Sequence, residues 1–567
     1  MSAVALPALR RVVRDRDDWL VLGLILAFGV FFLVALVLPV GIMLSRSLQD
    51  TAGNFVGLAN YRTYFATPAL LQSIANSFFV AALSTLIVVV LAFIYAYALT
   101  RSHMPFRTFF KVIAFVPLLM PGLLKAIALV YWFGNQGVLK SALFGASIYG
   151  PIGIVSASVL WTFPHAVMIL STALLMSDAR LYESAEALKT SRLRTFRLVT
   201  LPAVRYGLIS TAIFVFIQVL TDFGIPKVIG GGYNVLATDI YKEVVGQQNF
   251  AMGAVVSVVL LIPAVAAFII DRIVTGRQVA QLSARAVPYA PKPSPAFDRA
   301  MLIYCSVITV LTLAVIGMAQ FAAVVKFWPY NLQFTLAHYS FDVEGVGWDN
   351  FGNSLILAFS VATLGCVLSF VSAYLVEKPR HDQKARQVLH MVALIPMAIP
   401  GLVLGLGYLL FVNSPSNPLG FLYGTLALLA LSTVSHYYTV IHLTAITALK
   451  QMDREFESVA ASLKVSLVKS FFRVTVPVCA PAILDIWIYL FLNSMTTVSA
   501  AIFLYGIHTK LASIAVIHLD EAGRLASAAA MGMLIVYACV VVRLVHVFVS
   551  SRVLLRTQRW RATASAS

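Results

Sequence analysis

The chain has 567 residues, of which 60% are hydrophobic and 11% charged, and its mean hydropathy is +0.89. A soluble globular protein of that composition would have no polar surface to show water. That class is excluded, which leaves a membrane protein whose backbone is satisfied within helices. The formal net charge of +18 would suggest nucleic acid in a soluble chain, but here the cations cluster in alternate loops and that partner is excluded.

About twelve apolar stretches reach the ~20 residues that cross a bilayer. The first, 20–45, follows Arg10, Arg11, Arg14 and Arg16. It is too long for a signal peptide and lacks a small-residue cleavage site, so a retained helix is expected. The second, 77–100, opens at Asn76-Ser77 and is followed by Arg101, Arg107 and Lys111. The third, 112–134, carries PLLMPG from Pro117 to Gly122, where two prolines and a glycine should kink the helix and loosen its hydrogen bonding. The fourth, 152–176, leads into a polar loop, and 207–229 and 252–270 complete the series. A linker at 271–300, with Pro288, Pro291, Pro293 and Pro295, suits an extended connection.

A second series then repeats the first. It runs 301–327, 354–376 (opened by Asn353-Ser354), 389–413 (with PMAIPG from Pro396 to Gly401), 423–449, a second polar loop, 479–505 and 525–548. The expected architecture is an all-α polytopic membrane protein with two homologous six-helix halves, 1–270 and 301–567. Parallel halves of this kind are related by an axis along the membrane normal and enclose a central path.

The two polar loops, 178–206 and 450–478, are copies of one another. The first reads ESAEALKTSRLRTFRLVTLP from Glu183 to Pro202, and the second reads SVAASLKVSLVKSFFRVTVP from Ser458 to Pro477. At one constant offset Leu188 falls on Leu463, Lys189 on Lys464, Ser191 on Ser466, Phe196 on Phe471, Thr200 on Thr475 and Pro202 on Pro477. Both are basic, helix-forming and set between apolar segments, so each half presents one handle to a partner. Lys378, Arg380, Lys384 and Arg386, with Arg552, Arg556, Arg559 and Arg561, lie in loops on the same side as the handles. The opposite loops carry few cations, such as Arg62, Lys140 and Lys242. Handles and both termini are therefore expected in the cytoplasm. A basic helix that merely touches anionic membrane lipid would not explain the repeat.

Four cysteines (Cys305, Cys366, Cys479 and Cys539) lie in or beside apolar segments with neither disulfide nor metal spacing. Charges inside a bilayer are costly and usually functional. Lys125 and Asp222 fall at similar depth, and a pair between them is expected. The matching positions of the second half are Leu404 and Thr497, so a small polar cargo would meet one charged wall and one hydroxyl wall of Ser494, Thr496 and Thr497. Lys227 should lie near the outer mouth, where it either draws an anion or snorkels. His165 and His436 read as hydrogen-bonded packing histidines, and no cluster has the spacing of a metal or nucleophile site. Gly230, Gly231 and Gly232 are not followed by Lys-Ser/Thr, so no phosphate loop is present and ATP must be handled elsewhere.

The handles resemble the coupling loop of permease subunits of bacterial ATP-binding-cassette importers, E-A-A-x-x-L-G followed by a hydrophobic residue and proline. Glu183, Ser184 and Ala185 occupy the E-A-A positions of the first copy, with Leu188 and Pro202 as the leucine and proline. Ser458, Val459 and Ala460 do so in the second, with Glu457 one place early, then Leu463 and Pro477. Both copies depart at the glycine, which is Lys189 and Lys464. The resemblance implies a non-enzymatic pore whose short helices sit in grooves of two copies of a cytoplasmic ATPase, where ATP and Mg are bound. It also implies a periplasmic or extracellular substrate-binding protein and a bacterial inner-membrane location. The fused layout is similar to ferric-iron and thiamine permeases, and residues 221–260 resemble permeases of 2-aminoethylphosphonate importers. Two other classes fit less well. An ion-coupled secondary transporter of the commonest family has a D-R-x-G-R-type loop where this chain has TRSHMPFRTFFK, and a membrane enzyme needs clustered His, Asp or Glu.

Overall fold

The computed structural model describes residues 16–281, 289–341, 345–379, 382–415, 417–453 and 455–557. Of the residues singled out in the sequence, Arg10, Arg11, Arg14, Pro288, Arg380, Arg559 and Arg561 lie outside the described residues, as do the side chains of Glu457, Ser458 and Arg556.

The first series comprises α1 (Arg16–Arg46), α2 (Ala59–Ala66), α3 (Pro68–Arg101), α4 (Arg107–Phe115), α5 (Gly122–Phe133), α6 (Pro151–Leu175), α7 (Ala179–Ala187), α8 (Arg192–Thr221), α9 (Gly224–Ile229), α10 (Leu236–Tyr241) and α11 (Phe250–Gln281). The second comprises α12 (Pro295–Val324), α13 (Trp348–Glu377), α14 (Gln383–Leu394), α15 (Gly401–Val412), α16 (Leu426–Lys450), α17 (Glu455–Ser462), α18 (Leu467–Thr496), α19 (Ala512–Glu521) and α20 (Leu525–Thr557). A two-stranded hairpin, β1 (Val325–Phe327) and β2 (Asn331–Phe334), follows α12. Pro68, Pro151 and Pro295 open α3, α6 and α12, where the missing N–H costs nothing.

Among the described residues ten helices are long and apolar enough to cross a membrane, and two bent pairs bring the number to twelve. The bent pairs are the third and ninth expected spans. The kinks expected at PLLMPG and PMAIPG are full corners, 102° between α4 and α5 and 106° between α14 and α15. Local chemistry explains them. Met120 and Ile399 each precede a proline and are extended, as the clash with the following ring demands. Pro121 and Pro400 donate no N–H, so the next helices start afresh at Gly122 and Gly401.

The repeated Asn-Ser pairs also have one shared use. The Ser77 hydroxyl accepts from the Leu236 N–H at 2.8 Å and Asn76 donates to the Asn234 carbonyl at 2.9 Å. In the second half the Ser354 hydroxyl accepts from Ala512 N–H at 2.8 Å and Asn353 donates to the His508 carbonyl at 2.8 Å. Each pair thus pins a short helix, α10 or α19, to its own half at the face opposite the handles.

The first helix of each half crosses to the other. α1 packs on α14, α15 and α16, and α12 packs on α3, α4 and α5. Pro39 in α1 has no N–H for the Ala35 carbonyl, and the Tyr408 hydroxyl of α15 fills the vacancy at 2.6 Å. On the other seam the Trp132 indole of α5 donates to the Ala314 carbonyl of α12 at 3.1 Å. All four cysteines are buried and none is in a disulfide.

Candidate functional site

The two handles fold alike. In the first, Asp178 caps α7 by accepting from the Arg180 N–H at 3.1 Å. Ala185 is buried against the body, whereas Glu183, Ser184, Leu188 and Lys189 face outward. The helix closes when the Thr190 N–H reaches back to the Ala185 carbonyl at 3.0 Å, and Val465 does the same to Ala460 at 2.9 Å in the second handle. Val459, Leu463 and Lys464 are exposed there and Ala460 is half-buried. Leu188 and Leu463 are 76% and 69% exposed, which leaves both side chains open to a partner. Ser191 and Ser466 cap the next turn in both, accepting from the Arg194 and Lys469 N–H groups at 3.4 Å. Phe196 then packs on Phe93 and Tyr97, and Phe471 on Phe370 and Tyr374, which ties each handle to the second helix of its half.

The departure from glycine leaves the turn intact. Lys189 and Lys464 adopt left-handed φ of 50° and 52°, the conformation that the missing glycine would have supplied. A β-carbon there costs about 1 kcal/mol. Lys189→Gly with Lys464→Gly should therefore raise the thermal unfolding midpoint in detergent, and an unchanged or lower midpoint would show that the turn carries no such strain.

Among the described residues, the first handle has an attachment without a counterpart at the second. Residues 289–294 lie across it: Tyr289 packs on Tyr182 with centroids 4.6 Å apart, Lys292 pairs with Glu186 at 2.5 Å, and Arg192 donates to Ser294 at 3.1 Å. The Glu186 carboxylate holds the Lys292 ammonium above its usual range. Arg101 stands beneath, its guanidinium 4.8 Å from the Tyr182 ring and 4.3 Å from the Tyr289 ring. It also donates to the Leu174 carbonyl at 2.8 Å. Arg101, read as one more orientation signal, is thus a 7% exposed hub joining α3, α6, handle and linker. The sequence signal for it was thin, because a loop arginine and a tyrosine without counterpart in the second half do not stand out. The second handle is touched instead by α1, whose Asp17 accepts from the Leu467 N–H at 2.7 Å. Arg101→Ala should destabilise the fold by about 2–3 kcal/mol through the lost carbonyl bond and ring contacts. Lys292→Ala removes only an exposed pair and should cost below about 1 kcal/mol. Equal midpoint shifts for the two would contradict this ranking.

In the interior, Lys125 and Asp222 do not form the expected ion pair. Lys125 is 1% exposed, and its ammonium donates to the Met120 carbonyl at 2.8 Å, one that the corner before Pro121 leaves free. Asp222 sits at the break after α8 and accepts from the Ile225 N–H at 3.0 Å. The two act on each other only at a distance. Each charge is held by backbone groups that a helix break releases, which outcompete a pair requiring both side chains to reach.

The hydroxyl wall is likewise turned inward on its own helix. Ser494 donates to the Leu490 carbonyl at 2.7 Å and Thr496 to the Leu492 carbonyl at 3.1 Å, while Thr497 is 5% exposed. His165 and His436 pack against Phe214 and Tyr437, as expected of packing histidines, and the Nδ1 atom of each is buried without a hydrogen-bond partner. Lys227 does not stand free. It pairs with Glu521 of the other half at 2.7 Å and lies 4.8 Å from the Tyr241 ring centre, a tie between halves on the face opposite the handles. Beside it, burial first and the Glu521 charge second push the Asp520 carboxyl up to about 7.

Two parallel helical bundles with swapped first helices, each extending an exposed short helix from the same face, define a polytopic transport subunit. The chain belongs to the family of binding-protein-dependent transport system inner membrane components, whose pattern matches at residues 89–279 and again at 374–555. It is accordingly a multi-pass inner-membrane permease of an ATP-binding-cassette importer, not itself catalytic, and ATP is bound by its ATPase partner. It is similar to the ferric transport system permease protein FbpB of Actinobacillus pleuropneumoniae, 26% identical over 483 residues that cover 82% of this chain and 69% of the relative. It is also similar to the Fe(3+)-transport system permease protein FbpB 2 of Haemophilus influenzae, 23% identical over 81% of this chain and 86% of the relative. The thiamine transport system permease protein ThiP of Escherichia coli is 25% identical over 63% of this chain and 67% of the relative.

Proposed function

We propose that this chain moves ferric iron inward across the bacterial cytoplasmic membrane, as the pore through which a binding protein's cargo passes. The observation that carries the cargo is the likeness to permeases named for ferric transport over four-fifths of the chain. In this reading residues 1–270 and 301–567 are the two halves, joined by 271–300. The handle face and both termini are cytoplasmic, in keeping with the basic loops. Residues Glu183 to Lys189 and Glu457 to Lys464 are the seats of two ATPase copies, and a substrate-binding protein docks on the opposite face. Lys125 and Asp222 border the path, with Lys227 at its outer end. A second reading, 2-aminoethylphosphonate, rests on residues 221–260, and thiamine is a third.

Uptake of labelled ferric iron, 2-aminoethylphosphonate and thiamine in cells with and without the gene separates them. Loss of iron uptake alone supports the first reading. Loss of phosphonate or thiamine uptake alone replaces it. Uptake that persists after the ATPase is deleted would point to an ion-coupled carrier instead.

A further inference from the structure

The face opposite the handles holds a cavity of about 390 Å³ in the first half, bordered by Thr67, Asn234, Asp239, Lys242, Glu243 and Gln247. Two carboxylates lie in its wall one helical turn apart. Asp239 is 4% exposed and Glu243 8% exposed, so both are withdrawn from water. One oxygen of Asp239, Oδ2, is buried with no hydrogen-bond partner. An unsatisfied buried carboxylate oxygen is costly. Burial raises both carboxyls above their usual range, and the neighbouring Asp239 charge adds to the rise at Glu243. The Ser73 hydroxyl and the Lys242 charge offset the rise at Asp239 only in part. Lys242 is exposed, and its ammonium is engaged by the Asn234 side-chain oxygen.

The remaining polar lining offers hydroxyl and amide oxygens, with neither imidazole nor thiol. Two carboxylates beside hydroxyl and amide oxygens suit a hard cation or an ammonium, although the Lys242 ammonium and the Met252 thioether share the lining. Acids at these two positions are peculiar to this half, since Asp520 and Glu521 of α19 stand at other positions. The Ser77 bond to Leu236 and the Ser354 bond to Ala512 align α10 with α19, and this places Ala515 and Leu519 opposite Asp239 and Glu243. A merely architectural need for carboxylates at this point of the fold would be met in both halves.

We propose that the cavity is a cation-binding site at the entrance to the path, where Asp239 and Glu243 take the positively charged centre of the arriving cargo. The identity of that cargo rests on the reading above, since ferric iron, thiamine and 2-aminoethylphosphonate each carry such a centre. The site itself does not rest on it.

The test uses the complete transporter in nanodiscs, with terbium(III) as the probe. Tyr64, close enough to feel the Asp239 charge, can sensitise its luminescence. Saturable binding is expected, weakened at least tenfold by Asp239→Asn and by Glu243→Gln, and retained in Glu521→Gln, an acid outside the cavity. No saturable binding, or equal affinity in all four proteins, overturns the site. In cells, the same two variants should raise the KM for the transported cargo at least tenfold, and an unchanged KM would overturn the role in cargo capture. If the unaltered protein carries none of the three cargoes, the cargo reading has failed, and the terbium comparison alone decides the site. Glu243→Gln is the fallback should Asp239→Asn fail to assemble.

Discussion

A chain carrying Leu188→Glu and Leu463→Glu together should lose its ATPase on purification and with it all uptake. Both leucines stand at the exposed tip of a handle, and both keep the same place in the closing turn. Burying a leucine in a partner's groove contributes about 2 kcal/mol, roughly thirtyfold in affinity. A glutamate there forfeits that and must also be desolvated, at several kcal/mol more unless it finds a cation. If the two handles seat two ATPase copies, as proposed, the single variants keep one full-strength seat, and the bound pair retains part of its avidity. The expected series is therefore graded: near-normal ATPase yield without alteration, a reduced yield for either single variant, and almost none for the double. Glu183→Arg, which reverses an exposed charge on the first handle, should behave as a weaker single variant. The membrane fold itself should be untouched, with an unchanged unfolding midpoint for the permease alone, since neither leucine packs into the body. A double variant that still co-purifies with its ATPase would remove the handles from the docking surface.

What could be read from the sequence was what occurs twice. Phe196 and Phe471, Ser191 and Ser466, Asn76-Ser77 and Asn353-Ser354, and the two proline-glycine segments each do the same work in both halves, and repetition is visible without coordinates. The size of the bends at Met120-Pro121 and Ile399-Pro400 was not visible, because a proline permits a corner but packing sets its angle. The Lys125–Asp222 pair was inferred from depth along straight helices. Those corners, with the break after Thr221, are what redirect both side chains to backbone partners. Arg101 has a different cation, Lys378, at the matching position and the linker strap follows no repeated motif, so no repeat announced them. The same holds for Asp239 and Glu243, which stand in the very stretch that drew attention for its likeness to phosphonate permeases.

The swapped first helix supplies the other large effect, and it is a question of sign. In an ordinary helix Gly→Ala stabilises by about 0.5–1 kcal/mol. At Gly407 a β-carbon would lie 2.8 Å from the Pro39 carbonyl oxygen and 3.0 Å from its carbon, both backbone atoms that cannot swing aside. This glycine is the notch that lets α1 of the first half lie on α15 of the second, close enough for the neighbouring Tyr408 to reach the Ala35 carbonyl. Gly407→Ala should therefore destabilise, by about 1–3 kcal/mol as an overpacked contact does. Gly407→Leu should go further, pushing α1 off its seat and breaking the Tyr408 bond as well. Tyr408→Phe removes that bond together with the hydroxyl's contact to Ser435 at 3.1 Å, and should cost about 1–3 kcal/mol. The internal control is Gly317 in α12, where a β-carbon meets nothing within 4 Å, so Gly317→Ala should show the ordinary stabilising sign. Thermal unfolding of the four variants in one detergent measures all of this at once. If Gly407→Ala and Gly317→Ala shift the midpoint in the same direction, the close approach of Pro39 does not hold the two halves together.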